Sequence, residues 1–302
     1  MVIETDKVTK YYGQKLGCKD ISISVKEGEV FGFLGPNGAG KSTFIKIMTG
    51  LLFATSGTAK ILGKPLNDIS VRKRIGFLPE NFKYNEWMTG EDLLSFHASL
   101  YKLDKSIVKG RIKEVLSLVK LTGHEKYRLG TYSKGMQQRL GLASALLPDP
   151  DLLFLDEPTS ALDPIGRKEV RDIMTELKSR GKTILLNSHL LSEVEMVCDS
   201  VVIINKGSVV IQGDMKELLK GEEILHIYAE EISKDVVETL KKLDSNMIFE
   251  NSRISMKISS KDDIHKAASI IVNGGGKLYE LKTQGVNLES KFISLIEGGD
   301  HK

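Results

Sequence analysis

Gly35-Pro36-Asn37-Gly38-Ala39-Gly40-Lys41-Ser42-Thr43 is the stretch of this chain that decides its fold. It satisfies G-x-x-x-x-G-K-[ST], with a short apolar run at residues 30–34 before it and helical character over about residues 41–49 after it. The pattern has a physical reason. Glycines let the backbone wrap a phosphate chain with several N–H groups turned inward, and the helix that follows adds the positive end of its dipole. In such a cradle Lys41 reaches the β- and γ-phosphates and the Ser42 hydroxyl ligates Mg²⁺. A chance glycine-rich turn would not be expected to have a strand and a helix on the required sides.

The second chemical element is Leu152-Leu153-Phe154-Leu155-Asp156-Glu157-Pro158, an apolar run closed by two carboxylates. A buried parallel strand ending beside the phosphate loop would bring Asp156 near Mg²⁺, through its water shell. Glu157 would then point at the water that attacks the γ-phosphate, as general base or as orienter. Acidic residues end many ordinary strands, and a phosphate loop alone fits kinases, GTPases and motor ATPases alike.

Working outward, residues 2–25 read as strands broken by a turn at Gly13, with further extended pieces at 58–62 and 74–78. From about residue 82 to 147 the pattern turns helical. Thr89 with Asp92 makes a capping-box start, and residues 107–118 carry apolar side chains at three- and four-residue spacing. Strand character resumes at 152–155, 183–186, 201–204 and 209–211, with a helix at about 166–178. The fold this predicts is α/β: a P-loop NTPase parallel-sheet core with an inserted helical subdomain and an antiparallel N-terminal β subdomain. Past Gly221 the order becomes β-α-β-β-α-β, that of a small ferredoxin-like α+β domain, closed by a helix at 289–296. The expected domains are therefore 1–221, with the helical subdomain at about 82–147, and a C-terminal accessory domain at 222–302.

Tyr132-Ser133-Lys134-Gly135-Met136-Gln137-Gln138-Arg139 precedes the acid-ended strand, and with it the chain resembles the ATP-binding subunits of ABC transporters. The resemblance covers residues 1 to about 215, with several motifs in the family's order. The stretch is similar to the ABC signature, usually LSGGQ. Ser133 and Gly135 start an amphipathic helix, where hydroxyl and N–H groups can grip a γ-phosphate. The resemblance implies that this phosphate belongs to ATP held by the other subunit of a head-to-tail dimer. It also implies that Tyr12 stacks on adenine. Tyr11 is the rival for that place, and Tyr12 can also be read as a plain strand aromatic. Ser160-Ala161-Leu162-Asp163 resembles the loop that couples the two sites, and His189 the switch histidine at the γ-phosphate.

Carried over in this way, the catalytic residues are Glu157, His189 and Lys41, and the metal ligands are Ser42, Glu80 and Asp156. The implied cofactors are ATP and Mg²⁺. The implied partners are a membrane-spanning permease and a second ATPase subunit, a homodimer being permitted, with no nucleic acid. Three positions depart from the family pattern. Lys134 and Met136 replace the usual glycine and glutamine of the signature, a YSKGM form that resembles a largely exporting subgroup. Glu80 stands where a glutamine is usual; a carboxylate is a competent hard-cation ligand, yet it adds negative charge beside the phosphates. Phe82, Tyr84 and Trp87 follow it, readable either as part of a groove for a permease helix or as core of the helical subdomain.

Composition fits this picture and narrows it. With 41% hydrophobic and 27% charged residues over 302 positions, the chain is an ordinary globular protein long enough for two domains. Its 43 basic and 40 acidic residues nearly balance, which does not point to nucleic acid. Basic residues do crowd the helical stretch, among them Lys102, Lys105, Lys109, Arg111 and Lys113, readable as a solvated face or a membrane-facing one. Cys18 and Cys198 are far apart and in no metal-ligand spacing. No apolar run approaches the ~20 residues of a spanning helix, so the expected location is cytoplasmic, at the inner face of the membrane through the permease. Translation factors and chromosome or repair ATPases of the ABC class are the competing reading. They typically carry two cassettes or long coiled coils, whereas this sequence shows one phosphate loop and no heptads.

Overall fold

The structure, a computed structural model, describes residues 1–160, 162–220, 223–258, 260–285 and 287–297. Two compact units emerge, Met1–Met215 and Lys216–Gly298. Gly221 and Glu222, the expected boundary, lie outside the described residues, as does Ala161.

The first unit is built on a six-stranded sheet. Its order is Ser208–Asp214, Ser200–Asn205, Val30–Leu34, Thr183–Asn187, Leu152–Asp156, Ile75–Leu78. All neighbours are parallel except the first pair. The three central strands are buried at every position, which is why they read as unbroken apolar runs rather than alternating ones: helices cover both faces of a parallel sheet. Phe33 stacks on Phe44 of the helix Lys41–Met48, with ring centroids 4.7 Å apart. That contact anchors the helix to the strand on the other side of the phosphate loop.

An antiparallel sheet covers one side of this core. Ile3–Tyr12 pairs with Lys15–Ile21 across the turn at Gly13, where φ is +61°, and on its other side with Ser56–Ile61. The hairpin carries Tyr12, Lys15, Leu16 and Gly17 to the rim of the site described below.

The inserted helical stretch consists of Gly90–Leu100, Lys105–Leu118 and Lys134–Leu146. Thr89 and Asp92 form the expected capping box, with Thr89 Oγ1 accepting from the Asp92 amide at 3.1 Å and Asp92 Oδ2 accepting from the Thr89 amide at 3.0 Å. Arg111, one of the crowd of basic residues, does not belong to a solvated face. It donates to the carbonyls of Leu146 and Leu147 and so caps the C-terminus of Lys134–Leu146. Gly141 lets that helix approach closely: a Cβ there would meet Leu78 Cδ1 at 2.8 Å and the Tyr84 hydroxyl at 2.9 Å. Phe82 and Tyr84 pack ring against ring at 5.0 Å beside Gly141, while Trp87 is 70% exposed.

The second unit is a four-stranded antiparallel sheet in the order Ile248–Glu250, Arg253–Ile258, Glu223–Glu230, Lys277–Gln284. With helices Lys234–Lys241 and Lys261–Asn273 between strands, this is the β-α-β-β-α-β order of a ferredoxin-like domain. Leu225, Ile227, Ala229, Ile254, Met256 and Ile258 alternate inward and pack with Val236, Leu240, Ala267 and Ile271 of the two helices. Among the described residues no helix is long and apolar enough to cross a membrane.

Candidate functional site

Parallel strands all point the same way, so their C-terminal ends share one edge of the sheet, and loops from neighbouring ends meet there. The loop after Leu34 is the glycine-rich stretch; Glu80 follows Leu78 at short distance, Glu157 follows Asp156, and His189 follows Asn187. These loops enclose one side of a cavity of about 590 Å³. Asn37, Gly38, Gly40, Lys41, Ser42 and Thr43 line its floor, and Glu80, Glu157, Asn187 and His189 its flank. Tyr12, Lys15, Leu16 and Gly17 complete the rim. Tyr12 reaches the cavity and is half-exposed; Tyr11 does not line it.

The loop's shape depends on two glycines. Gly38 and Gly40 sit at φ +80° and +101°, left-handed values that β-carbons disfavour. At Gly40 there is also no room, since a Cβ would fall 2.2 Å from the Gly17 carbonyl oxygen. Gly40 is the N-cap of Lys41–Met48, so the first turn of that helix faces the cavity. Gly35, Pro36 and Ala39 do not line the cavity. The Lys41 ammonium donates to the carbonyls of Gly35 at 2.7 Å and Pro36 at 3.2 Å. Burial pushes the Lys41 pKa down, and Glu157, Asp156 and Glu80 pull against that without cancelling it.

Two carboxyls stand behind and beside the lysine. Asp156 is 5% exposed and accepts a hydrogen bond from the Asn187 side-chain amide. Burial raises its pKa, with Glu80 adding to the rise. Glu157 is 7% exposed, and its φ of +53° is unusual for a residue with a side chain. Its amide donates to the Asn187 carbonyl at 2.9 Å, and its Oε2 lies 2.7 Å from His189 Nδ1. Burial raises the Glu157 pKa, and His189 opposes the rise. A half-buried imidazole held against a buried carboxyl makes a unit that can accept and hold a proton at the cavity wall.

Ser133 and Gly135 are not brought to this cavity. Ser133 is exposed at the start of Lys134–Leu146, with its Oγ accepting from the Met136 amide at 3.2 Å. Asp163 caps Pro164–Ser179 by accepting from the Gly166 amide at 2.8 Å. Four cavity residues escaped the sequence reading. Lys15, Leu16 and Gly17 enter only because the hairpin folds back over the loop. Asn187 did carry a signal: Thr-Ile-Leu-Leu-Asn ends an apolar run with a polar residue just as Leu-Leu-Phe-Leu-Asp does.

Comparison with known proteins decides the family. The family model described as ABC transporter matches residues 18–160. An uncharacterized ABC transporter ATP-binding protein of Nostoc sp. is 38% identical, the match covering 99% of this chain and 91% of that protein. This chain belongs to the ABC transporter ATP-binding proteins. The bacitracin transport ATP-binding protein of Bacillus licheniformis is 36% identical over 99% of this chain and 98% of its own. A solved ATP-binding subunit of an ABC transporter superposes with TM-score 0.66 at 31% identity, covering 72% of this chain and 92% of that one. The expectations of an ABC ATPase and a P-loop fold thus hold. This ABC subunit binds and hydrolyses ATP and energises transport through a separate membrane permease.

Proposed function

We propose that the cavity holds MgATP and that two copies of this ABC subunit close head to tail over two nucleotides, driving export through the permease. The observation that carries this is a division of parts. The loop, Lys41 and the Glu157–His189 pair converge on one cavity, whereas Ser133 and Gly135 sit on a helix start outside it. A helix start that presents donors but lies outside the cavity lined by the glycine loop is suited to the γ-phosphate held by a partner copy.

In this reading Tyr12 offers a ring to adenine, and the backbone of Gly35 to Thr43 wraps the phosphates. Lys41 neutralises the β- and γ-phosphates. Glu157 orients the attacking water and accepts its proton, and His189 fixes the Glu157 carboxyl and contacts the γ-phosphate. Ser42, Asp156 and Glu80 would hold Mg²⁺. Among the described residues no three His, Cys, Asp or Glu side chains form a ready-made metal cage. Hydroxyl and carboxylate oxygens at a phosphate cradle suit an ion that keeps water and phosphate oxygens as its remaining ligands. When bound, Mg²⁺ supplies charge neutralisation at the phosphates. A cavity of about 360 Å³ between Phe82, Tyr84, Met88, Phe96 and His97 supports docking of a cytoplasmic permease helix there, in keeping with a location at the inner face of the membrane. Likeness to the bacitracin transport subunit supports transport, and the YSKGM form supports export. The C-terminal unit, whose described residues form no group of three potential metal-ligating side chains, fits an accessory role in dimer stability or regulation.

Glu157→Gln tests the assignment. Turnover should fall by about 10²–10⁴ while ATP binding persists and a dimer accumulates on size exclusion with MgATP. Turnover near the wild-type rate would remove Glu157 from its role. Cross-linking of Asn37→Cys to Ser133→Cys, only between copies and only with ATP, tests the head-to-tail arrangement.

A further inference from the structure

We propose that Asn187 is a positioning residue that holds both active-site acids and presents its amide oxygen to water entering with the magnesium nucleotide. The proposal rests on the reading above that Asp156 faces Mg²⁺. Asn187 is the last residue of Thr183–Asn187 and lies opposite Asp156 in the parallel register. Its side chain donates to Asp156 Oδ1 and its main-chain carbonyl accepts from Glu157. One residue therefore ties down the first acid through its side chain and the second through its backbone, just where Glu157 adopts its left-handed φ.

The direction of the amide follows from chemistry. An ionised carboxylate only accepts, so the NH₂ end must face Asp156 and Oδ1 must face elsewhere. That oxygen is buried and has no hydrogen-bond partner. Asn187 is 1% exposed and lines the cavity. A buried acceptor left unmatched is unfavourable and is relieved by a donor. Its own strand neighbours supply none, so the donor comes from the cavity, and an O–H of a water molecule is the group that fits. The amide thereby fixes which Asp156 oxygen Asn187 engages and, on the reading above, leaves Oδ2 as the one to face the metal. Partners of metal ligands set metal affinity in this way, by about 10–100-fold.

Asn187→Leu keeps the shape and removes both hydrogen-bonding ends. Wild type, Asn187→Leu and Asp156→Asn are compared for binding of a fluorescent methylanthraniloyl-ATP, in EDTA and across a Mg²⁺ series. Thermal melts report the fold. Asn187→Leu should bind nucleotide in EDTA as wild type does, yet require about tenfold more Mg²⁺ for the same tightening, with kcat lowered and KM at saturating Mg²⁺ unchanged. A wild-type Mg²⁺ requirement overturns the proposal. So does an equal loss of affinity with and without metal, which marks a packing role. If Asp156→Asn keeps the wild-type requirement, the underlying reading of Asp156 fails and the proposal with it. If Asp156→Asn loses it and Asn187→Leu does not, the proposal alone fails. Should Asn187→Leu melt early, Asn187→Ala, which only deletes atoms, is judged by the same outcomes.

Discussion

Leu152–Asp156 in the first unit and Glu223–Glu230 in the second are both strands in the middle of a sheet, yet they dispose of their side chains differently. All five positions of the former are buried. In the latter, Leu225, Ile227 and Ala229 point inward while His226, Tyr228 and Glu230 stand half-open between them. A strand covered on both faces can show chemistry only where it ends; a strand covered on one face shows polar groups along its whole length. The parallel sheet accordingly gathers Glu80, Asp156, Glu157, Asn187 and His189 at or just beyond one edge. On the antiparallel sheet the outward polar groups bond to each other, His226 to Ser255 at 2.9 Å and Tyr228 to Glu230 at 2.7 Å.

The comparison can be broken most sharply at Lys41. Lys41→Ala should cost about 10³ in ATP turnover, by removal of a charged donor from the phosphates, with the chain still folded as judged by circular dichroism. Retention of turnover within tenfold would mean that the strand-end edge is not where the chemistry lies. Next comes Leu225→Ala. It should destabilise the second unit by about 3 kcal/mol, seen as an earlier step in urea unfolding, while nucleotide affinity stays within twofold. A matching loss of affinity would show that the two sheets are not energetically separate.

The glycine loop offers a smaller, graded test. Gly40→Ala combines a left-handed φ with a backbone collision and should cost about 2 kcal/mol or more. Gly38→Ala meets open space and should cost about 1 kcal/mol, the left-handed penalty alone. Equal melting temperatures for the two variants would contradict the geometry at Gly17. The smallest effect concerns Asp149, whose carboxyl lies 2.8 Å from the Lys182 ammonium and 3.3 Å from the Arg111 guanidinium. Burial pushes its pKa up, but Lys182, Arg111 and Arg180 outweigh burial and hold it below the ordinary value. A depressed carboxyl stabilises the fold above its unfolded pKa and loses that contribution as pH falls through the folded one. Asp149→Asn should therefore melt slightly below wild type at pH 7, with the gap closing below about pH 4. A gap that widens in acid would reverse the sign.

The same contrast explains what could be read from the sequence. Chemistry at strand ends leaves compact signatures, because turn, helix start and acid are neighbours along the chain; hence Gly35 to Thr43 and Asp156-Glu157 stood out. The capping box at Thr89 was legible for the same local reason. Long-range returns were not. Lys15, Leu16 and Gly17 reach the cavity through a hairpin, and Arg111 caps a helix end whose carbonyls lie 35 and 36 residues further along the chain. The short helix Leu191–Val197 also went unread, since its N-cap Leu190 makes no side-chain cap and gives no start signal. Asn187 was hidden for a different reason: an amide after an apolar run looks like a strand ending in a turn until the register sets it opposite Asp156.

Lys41 turns its ammonium back onto two carbonyl oxygens of its own loop. The loop thus carries an internal clasp, and on the proposed reading an arriving phosphate would take over a cation already poised rather than recruit one from solvent. Affinity at this position is consequently a difference between two sets of contacts, so softening the clasp, for instance by distorting the carbonyls of Gly35 or Pro36, would alter binding even with every phosphate contact intact.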